Sequence, residues 1–402
     1  MDFLYAFVPD TGGDRHRAGL RELELSVGPF RADQVGSLLR APELRAAHEK
    51  SLQGRYGAAA LRELQDRCIR DVIRMQESVG LQAITDGEYR RTSFHADFIE
   101  KLDGARAAGR LDVKDTVSGF DAKKEESGKP FAPRAFAITG KLRHSRPIEV
   151  DNFKFVKANT RRTAKQTMPS PTMLLRGGRA AVSKEAYPEL EEFHADIVQV
   201  YREELRQLGE AGCRYVQLDD TNFAFLCDPK LAETYRRDGY DLARLPGQFA
   251  DLINSAIAGR PAGMAVGIHI CRGNSVGQWA ARGGYEPVAE VLLGQLGVDA
   301  YFLEYDDERS GGFEPLRFLP KGSPKRVVLG LVSTKVPVVE PKDVLKRRIE
   351  AAARVVPLEN LCLSPQCGFA STFRGNPISE DVQRRKLERV VEVASEVWGT
   401  TL

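Results

Sequence analysis

Residues 264–271, MAVGIHIC, form a short apolar run that closes on two side chains able to bind a metal, His269 and Cys271. A run of this length without helical spacing suits a strand buried on both faces. Comparable runs stand at 30–35 (FRADQV), 82–86 (QAITD), 165–169 (KQTMP), 215–219 (YVQLD), 300–305 (AYFLEY), 326–332 (RVVLGLV) and 361–366 (LCLSPQ). Segments of helical period separate them. In 185–209, Leu190, Phe193, Ile197, Tyr201, Leu205 and Leu208 recur at spacings of three and four, and Gly209 and Gly212 close the run. In 61–80, Leu61, Leu64, Ile69, Val72, Ile73, Gln76 and Val79 trace a similar stripe up to Gly80. Segment 341–356 opens on Pro341, and 379–397 places Leu387, Val390, Val391, Ala394 and Val397 on one side.

Strand and helix in alternation predict a parallel sheet covered by helices. Eight such units in 402 residues fit a (β/α)8 TIM barrel with insertions. The competing arrangement is an open doubly wound sheet. Neither a Gly-x-Gly-x-x-Gly after the first strand nor a Walker-type loop accompanies it here, so the barrel is the expectation. Residues 100–164, rich in Lys, Arg, Gly and Asp, break the rhythm. They read as an insertion between strands two and three, with a hairpin around 135–150. Residues 1–25 read as an N-terminal arm and 26–402 as one barrel domain.

Composition bounds the function. Hydrophobic residues make up 42% and charged residues 29%, and the net charge is only +3, which excludes a basic nucleic-acid stripe or a polybasic membrane patch. The start MDFLYAFVPD carries Asp2 and is broken at Pro9 and Asp10, so no secretory signal is read there, and no stretch has the length of a membrane span. Six scattered cysteines in a chain with ample core do not read as a disulfide framework. A reduced, cytoplasmic protein follows, acting on small molecules, with assembly into a homo-oligomer left open.

In a barrel the C-terminal strand ends build the active site. Here they carry Gly36-Ser37, Asp86-Gly87-Glu88, Pro169-Ser170, Asp219-Asp220, His269-x-Cys271, Glu304, Ser333-Thr334-Lys335 and Cys367-Gly368. His269 and Cys271, two apart on a strand, share a face. With Glu304 and Cys367 they offer nitrogen, oxygen and two sulfurs, a mixture that suits Zn2+ better than a hard cation or an iron–sulfur cluster. Two thiolates and a carboxylate leave such a zinc centre at a net charge of about −1, poor for splitting water and suited to carrying a nucleophilic thiolate. Spacing alone keeps the alternative open, because cysteines are commonly small buried hydrophobes. Cys68, Cys213 and Cys362 are read that way, while Cys227 and Asp306 compete as ligands.

The passages QVGSLLR (34–40), TDGEYRR (85–91), MPSPTML (168–174), YVQLDD (215–220), GIHICRGN (267–274), FLEYDD (302–307) and LSPQCGF (363–369) stand in order along most of the chain. On these residues the chain resembles the catalytic domain of cobalamin-independent methionine synthase, and in particular its short single-barrel relatives. The resemblance implies zinc held by His269, Cys271, Glu304 and Cys367, taking up the homocysteine thiol as a thiolate that attacks the N5-methyl group of methyltetrahydrofolate. It places the substrate carboxylate at the backbone of Gly36 and Ser37 and its ammonium at Glu88 and Asp219. Pairing of those carboxylates with Arg90, Arg91 or Arg214 is the competing structural reading.

Two departures matter. The full-length family enzyme has two barrels, and this chain has the length of one. The loop GLVSTKVP (330–337) offers Ser333, Thr334 and Lys335 where the methionine synthases carry a histidine implicated in proton delivery, which leaves the methyl donor open. His95 and Asp97 are candidate proton relays, and Phe94, Phe223, Phe225 and Trp279 are candidate platforms for a flat donor such as a folate. The alternative is epoxyalkane:coenzyme M transferase-like alkylation, for which Arg90, Arg91, Arg272 and Lys335 are available to a sulfonate. Glu88 with Asp219 favours the amino-acid thiol. A zinc hydrolase would keep only three protein ligands, and a purely structural zinc would need no polar residues at the other strand ends.

Overall fold

The computed structural model describes residues 27–110 and 134–402. Ten strands lie in that span: β1 (Ala83–Ile84), β2 (Asp103–Arg110), β3 (Arg134–Arg143), β4 (Thr163–Ala164), β5 (Gln166–Pro169), β6 (Tyr215–Asp220), β7 (Ala265–Ile270), β8 (Ala300–Glu304), β9 (Arg326–Val332) and β10 (Leu361–Pro365). Strands β5 to β10 form one parallel sheet in sequence order, and β1 pairs in parallel with β4. Only Lys165 separates β4 from β5, and its N–H donates to Ile84 O at 2.8 Å, so one continuous edge meets β1 on one side and β6 on the other. Parallel strands with helices between them make an α/β fold, as the alternation predicts.

The first expected strand, 30–35, is reduced to a single parallel bridge between Ala32 and Leu363. The reason is local. The Asp33 carboxylate takes the N–H groups of Phe30 (3.2 Å) and Gln34 (2.7 Å), donors that a longer ladder would use. The segment still lies beside β10, through Asp33 N to Leu363 O (3.0 Å) and Leu363 N to Arg31 O (2.9 Å).

The helices follow the apolar stripes. The helix Ala58–Val79 buries Leu64, Cys68, Ile69, Val72, Ile73 and Val79. Leu190–Glu210 buries Phe193, Ile197, Val200, Tyr201, Leu205 and Leu208. Lys342–Ala353 and Glu380–Trp398 complete the cover of β9 and β10. The helix expected from 185 begins at Leu190, just past Pro188. A second, smaller apolar cluster joins Phe30, Val35, Ala83, Tyr215, Ala265, Ala300, Phe302, Val328 and Cys362. Beside it the fully buried Lys165 ammonium pairs with Asp33 (3.0 Å) and lies 4.2 Å from the Phe302 ring centre.

The hairpin differs from its expected bounds. β3 pairs antiparallel with β2, and residues 144–149 contain no strand before the helix Val150–Asn159. The partner strand, DGARAAGR, lacks the apolar alternation that would have marked it. The arm at 1–25 lies outside the described residues. Among the described residues, no helix is long and apolar enough to cross a membrane.

Candidate metal centre and its surroundings

Strand register brings the chemistry to one end. Asp219 on β6 stands beside His269 on β7, which stands beside Phe302 on β8. The His269 ring bonds through Nδ1 to Phe302 O at 3.2 Å. That contact sets the ring and leaves the buried Nε2 with no hydrogen-bond partner among the described residues. Cys271 Sγ and Cys367 Sγ lie 3.5 Å apart, and Gly273 N–H donates to Cys271 Sγ at 3.3 Å. Glu304 accepts from Arg272 N–H (2.6 Å) and from Arg309 Nη2 (2.9 Å), with Lys335 Nζ 3.6 Å away. One ligand atom from each of His269, Cys271, Glu304 and Cys367 falls within 4.8 Å of all the others, and all four residues are buried.

The electrostatics suit a cation. The hydrogen bond from Cys271 and the neighbouring His269 hold the Cys367 thiol well below its ordinary range in spite of burial. Burial opposes ionisation of Glu304, but Lys335, Arg309 and His269 outweigh it and hold the carboxyl low. Burial would likewise lower the His269 pKa, yet Cys367, Asp219 and Glu304 push it up to about 9, a measure of the negative potential at the centre. An orphaned imidazole nitrogen, two adjacent sulfurs and a carboxylate fit a zinc ion.

The competing ligands lie elsewhere. Cys227 Sγ bonds to Phe223 O at 3.4 Å, and Asp306 pairs with Arg309 (3.1 Å) and Ser333 Oγ (3.0 Å). Cys68, Cys213 and Cys362 are buried, and none of them belongs to the metal-binding group.

Next to this centre is a pair of buried carboxylates. Glu88 sits in the left-handed region at φ 61, its N–H held by Asp86 Oδ1 at 2.8 Å. Its Oε1 accepts from Thr167 Oγ1 (3.0 Å) and lies 3.4 Å from Arg91 Nη1, while Oε2 has no hydrogen-bond partner among the described residues. Asp219 accepts from Gln217 Nε2 at 2.7 Å, and burial together with the charge of Glu88 pushes it up to about 7. Structural pairing thus holds half of the Glu88 carboxylate and leaves the other half open.

Two glycines let the loops meet. At Gly36, φ is 134, and a Cβ there would lie 2.5 Å from Thr167 Cγ2. A Cβ on Gly368 would fall 1.9 Å from Ser37 Oγ, so residues 36–37 approach 367–369 closely. Ser37 O accepts from Phe369 N–H at 2.9 Å. Arg40, fully buried, ties the same loops by donating to Ala370 O (3.0 Å) and Glu88 O (2.5 Å). The role of Arg40 was visible in QVGSLLR only as a charged residue inside an apolar stretch.

The remaining candidates divide. The His95 ring packs against Phe94 (4.5 Å) and Phe136 (5.8 Å), with Nδ1 3.2 Å from Ser93 Oγ. Its segment pairs with the chain beyond Cys367, through Phe94 N to Ser371 O at 3.1 Å. Asp97 is a loop clasp that accepts from Thr92 N–H (2.8 Å) and Ser93 N–H (3.3 Å). Thr334 bonds to Gln366, and the Lys335 ammonium reaches Glu304. Arg90 is occupied by Asp66 and Asn152, and the Arg272 guanidinium stacks 4.2 Å over Tyr285. Phe223 is core, edge-on to Phe249 at 5.6 Å, whereas Phe225 lies under Arg176 and Trp279 under Arg309.

Residues 30–396 match the cobalamin-independent synthase catalytic domain. The chain belongs to this family. Across 382 residues it is 41% identical to the uncharacterized protein YxjH of Bacillus subtilis, covering 95% of this chain and 98% of that one. A methionine synthase of Pyrococcus abyssi is 26% identical over 329 residues, 82% of each chain. Among solved structures, a Listeria monocytogenes protein described as a putative vitamin-B12 independent methionine synthase aligns with a TM-score of 0.74 at 36% identity, covering 93% of this chain and 99% of that one. Family membership makes this a methionine synthase-like methyltransferase-family enzyme.

Proposed function

We propose that the chain is a zinc-dependent methyltransferase that methylates the thiol of homocysteine or a similar small amino-acid thiol in the cytoplasm, with 5-methyltetrahydrofolate or another methyl donor. The observation that carries this reading is the convergence of one His269 ring nitrogen, two cysteine sulfurs and a Glu304 oxygen within 4.8 Å. A zinc ion in that group would keep a substrate thiol deprotonated and nucleophilic.

The protein's own groups orient the acceptor. The open Oε2 of Glu88 and the carboxyl of Asp219 form an ammonium site, and the backbone of Gly36 and Ser37 faces the substrate carboxylate. Two carboxylates there favour an amino acid over a sulfonate. Transfer forms a sulfur–carbon bond and breaks the donor's bond to its methyl group, so a proton has to reach the leaving atom. We assign His95 to that relay and Lys335, whose buried Nζ lies 3.6 Å from Glu304 and 3.9 Å from Asp306, to an anionic group of the bound molecules.

We also read the sheet as closing into a (β/α)8 barrel, residues 26–402 forming one domain that carries the 100–164 insertion. Support comes from the inner cluster, to which seven of the eight strand segments contribute, with Lys165 supplied by the eighth. Further support comes from the bonds of Gly36 O to Thr85 Oγ1 (2.7 Å) and Gln34 O to Lys165 Nζ (2.5 Å) across the remaining edge. The metal reading is tested by Cys367→Ser and His269→Ala, which should lower zinc affinity by more than about a hundredfold while circular dichroism stays unchanged. Retention of zinc in both variants would overturn the ligand assignment.

A further inference from the structure

The region set aside as an insertion contributes a buried carboxylate to the neighbourhood of Glu88. Glu149, the residue before the helix Val150–Asn159, has a fully buried side chain, with Oε2 3.2 Å from Arg91 Nη2. Arg91 is therefore shared. One side of its guanidinium faces Glu149, and the other lies 3.4 Å from Glu88 Oε1 and 3.1 Å from Thr167 Oγ1. Thr167 passes its own hydrogen to Glu88 at 3.0 Å. These three charged side chains are at most 3% exposed.

We propose that Glu149 is a specificity-determining positioning residue, holding Arg91 between two carboxylates so that Glu88 keeps one oxygen, and an unneutralised charge, for the substrate ammonium. This rests on the reading of Glu88 as an ammonium ligand. The charge balance carries the argument. Arg91 and Arg40 face four carboxylates, Glu88, Glu149, Asp86 and Asp219, which leaves an excess negative charge that a cation arriving at Glu88 offsets. With Glu149 neutral, Glu88 is the one carboxylate left in direct contact with Arg91, whose other donated bonds go to Thr167. A guanidinium free to form a two-pronged pair would take both oxygens and close the site.

The surroundings hold Glu149 in place. Its Oε2 also accepts from Asn152 Nδ2 (2.7 Å) and Gln166 Nε2 (3.3 Å). Its N–H donates to Glu204 Oε1 at 2.6 Å, and Glu204 is in turn held by His144 Nε2 at 2.5 Å. The amine site is thus anchored through Glu149 to the chain that leaves β3.

The test compares binding of homocysteine with that of 4-mercaptobutyrate, the same thiol without its amine, to the zinc-loaded protein by calorimetry. Glu149→Gln should lower the preference for the amine by about tenfold or more. The double variant Arg91→Met/Glu149→Gln, which removes the cation together with its counter-charge, should restore it. A purely structural role for Glu149 predicts no restoration. An unchanged preference in Glu149→Gln, or a lost one in the double variant, would overturn the proposal while leaving the ammonium site standing. An unchanged preference in Glu88→Gln would overturn the ammonium site and the proposal with it. Should Glu149→Gln fail to fold, Asn152→Leu, which removes the 2.7 Å donor that holds Glu149 Oε2, should lower the preference in the same direction, and an unchanged preference there would overturn the proposal.

Discussion

Cys271 and Cys367, 96 positions apart in the chain, bring their sulfurs to 3.5 Å at the ends of β7 and β10. Neither sulfur is bonded to the other as a disulfide, since both cysteines are free. Two sulfurs at this separation, beside an imidazole nitrogen with no hydrogen-bond partner among the described residues, fit a bound cation, and the predictions on zinc and thiol binding below depend on that centre.

Arg309 orients Glu304 through a 2.9 Å contact and also meets Asp306 at 3.1 Å. Groups that hold a ligand in place typically matter about 10–100-fold in metal affinity. Arg309→Leu should weaken zinc binding by about that factor in competition with a chromophoric chelator. Equal affinities would show that Glu304 is positioned without it.

Asp219 is buried next to Glu88. Asp219→Asn removes one charge-assisted partner of the substrate ammonium, worth about 1.5–3 kcal/mol, or roughly 10–100-fold in affinity. Homocysteine binding should fall by that factor and 4-mercaptobutyrate binding should not. Equal losses for both thiols would remove Asp219 from the amine site.

His144 and Glu204 form an ion pair with side chains 3% and 0% exposed. Burial lowers the imidazole pKa, but the hydrogen bond and charge of Glu204 outweigh it and the net shift is upward. A folded-state pKa raised above the unfolded value gives stability that is fully present below about 6.5 and lost as pH climbs through the folded value. The urea midpoint of the wild type should therefore exceed that of His144→Gln most at low pH, with the gap closing as pH rises. Glu204→Ala, which strands the imidazolium and two backbone N–H groups, should cost about 3–5 kcal/mol. A pH-independent gap would show that His144 does not titrate across this range.

Much of this was legible from sequence, for physical reasons. Each residue of the candidate metal group stands at the end of an apolar run or directly after it, so reading MAVGIHIC, AYFLEY and LCLSPQ as neighbouring strands brings His269, Cys271, Glu304 and Cys367 to one end of the sheet. The long helices showed their stripes because one face packs on the sheet. What stayed hidden has no period. Arg40, Glu149 and Glu204 are charged residues that become buried by pairing with partners far along the chain, and a linear pattern does not distinguish them from surface charges. FRADQV looked like a strand by composition, but Asp33 spends its carboxylate on its own neighbours' N–H groups. Lys165, the first residue of the KQTMP run, lies buried against Asp33 and two aromatic rings, a pairing that no periodic pattern announces.

The most direct test of the zinc-thiol account is zinc K-edge X-ray absorption on the protein purified without chelators, before and after homocysteine is added. The account predicts about one zinc per chain with two sulfur neighbours beside lighter atoms, rising to three sulfurs with homocysteine. Absence of zinc, or a sulfur count that stays at two when homocysteine is saturating, would contradict it.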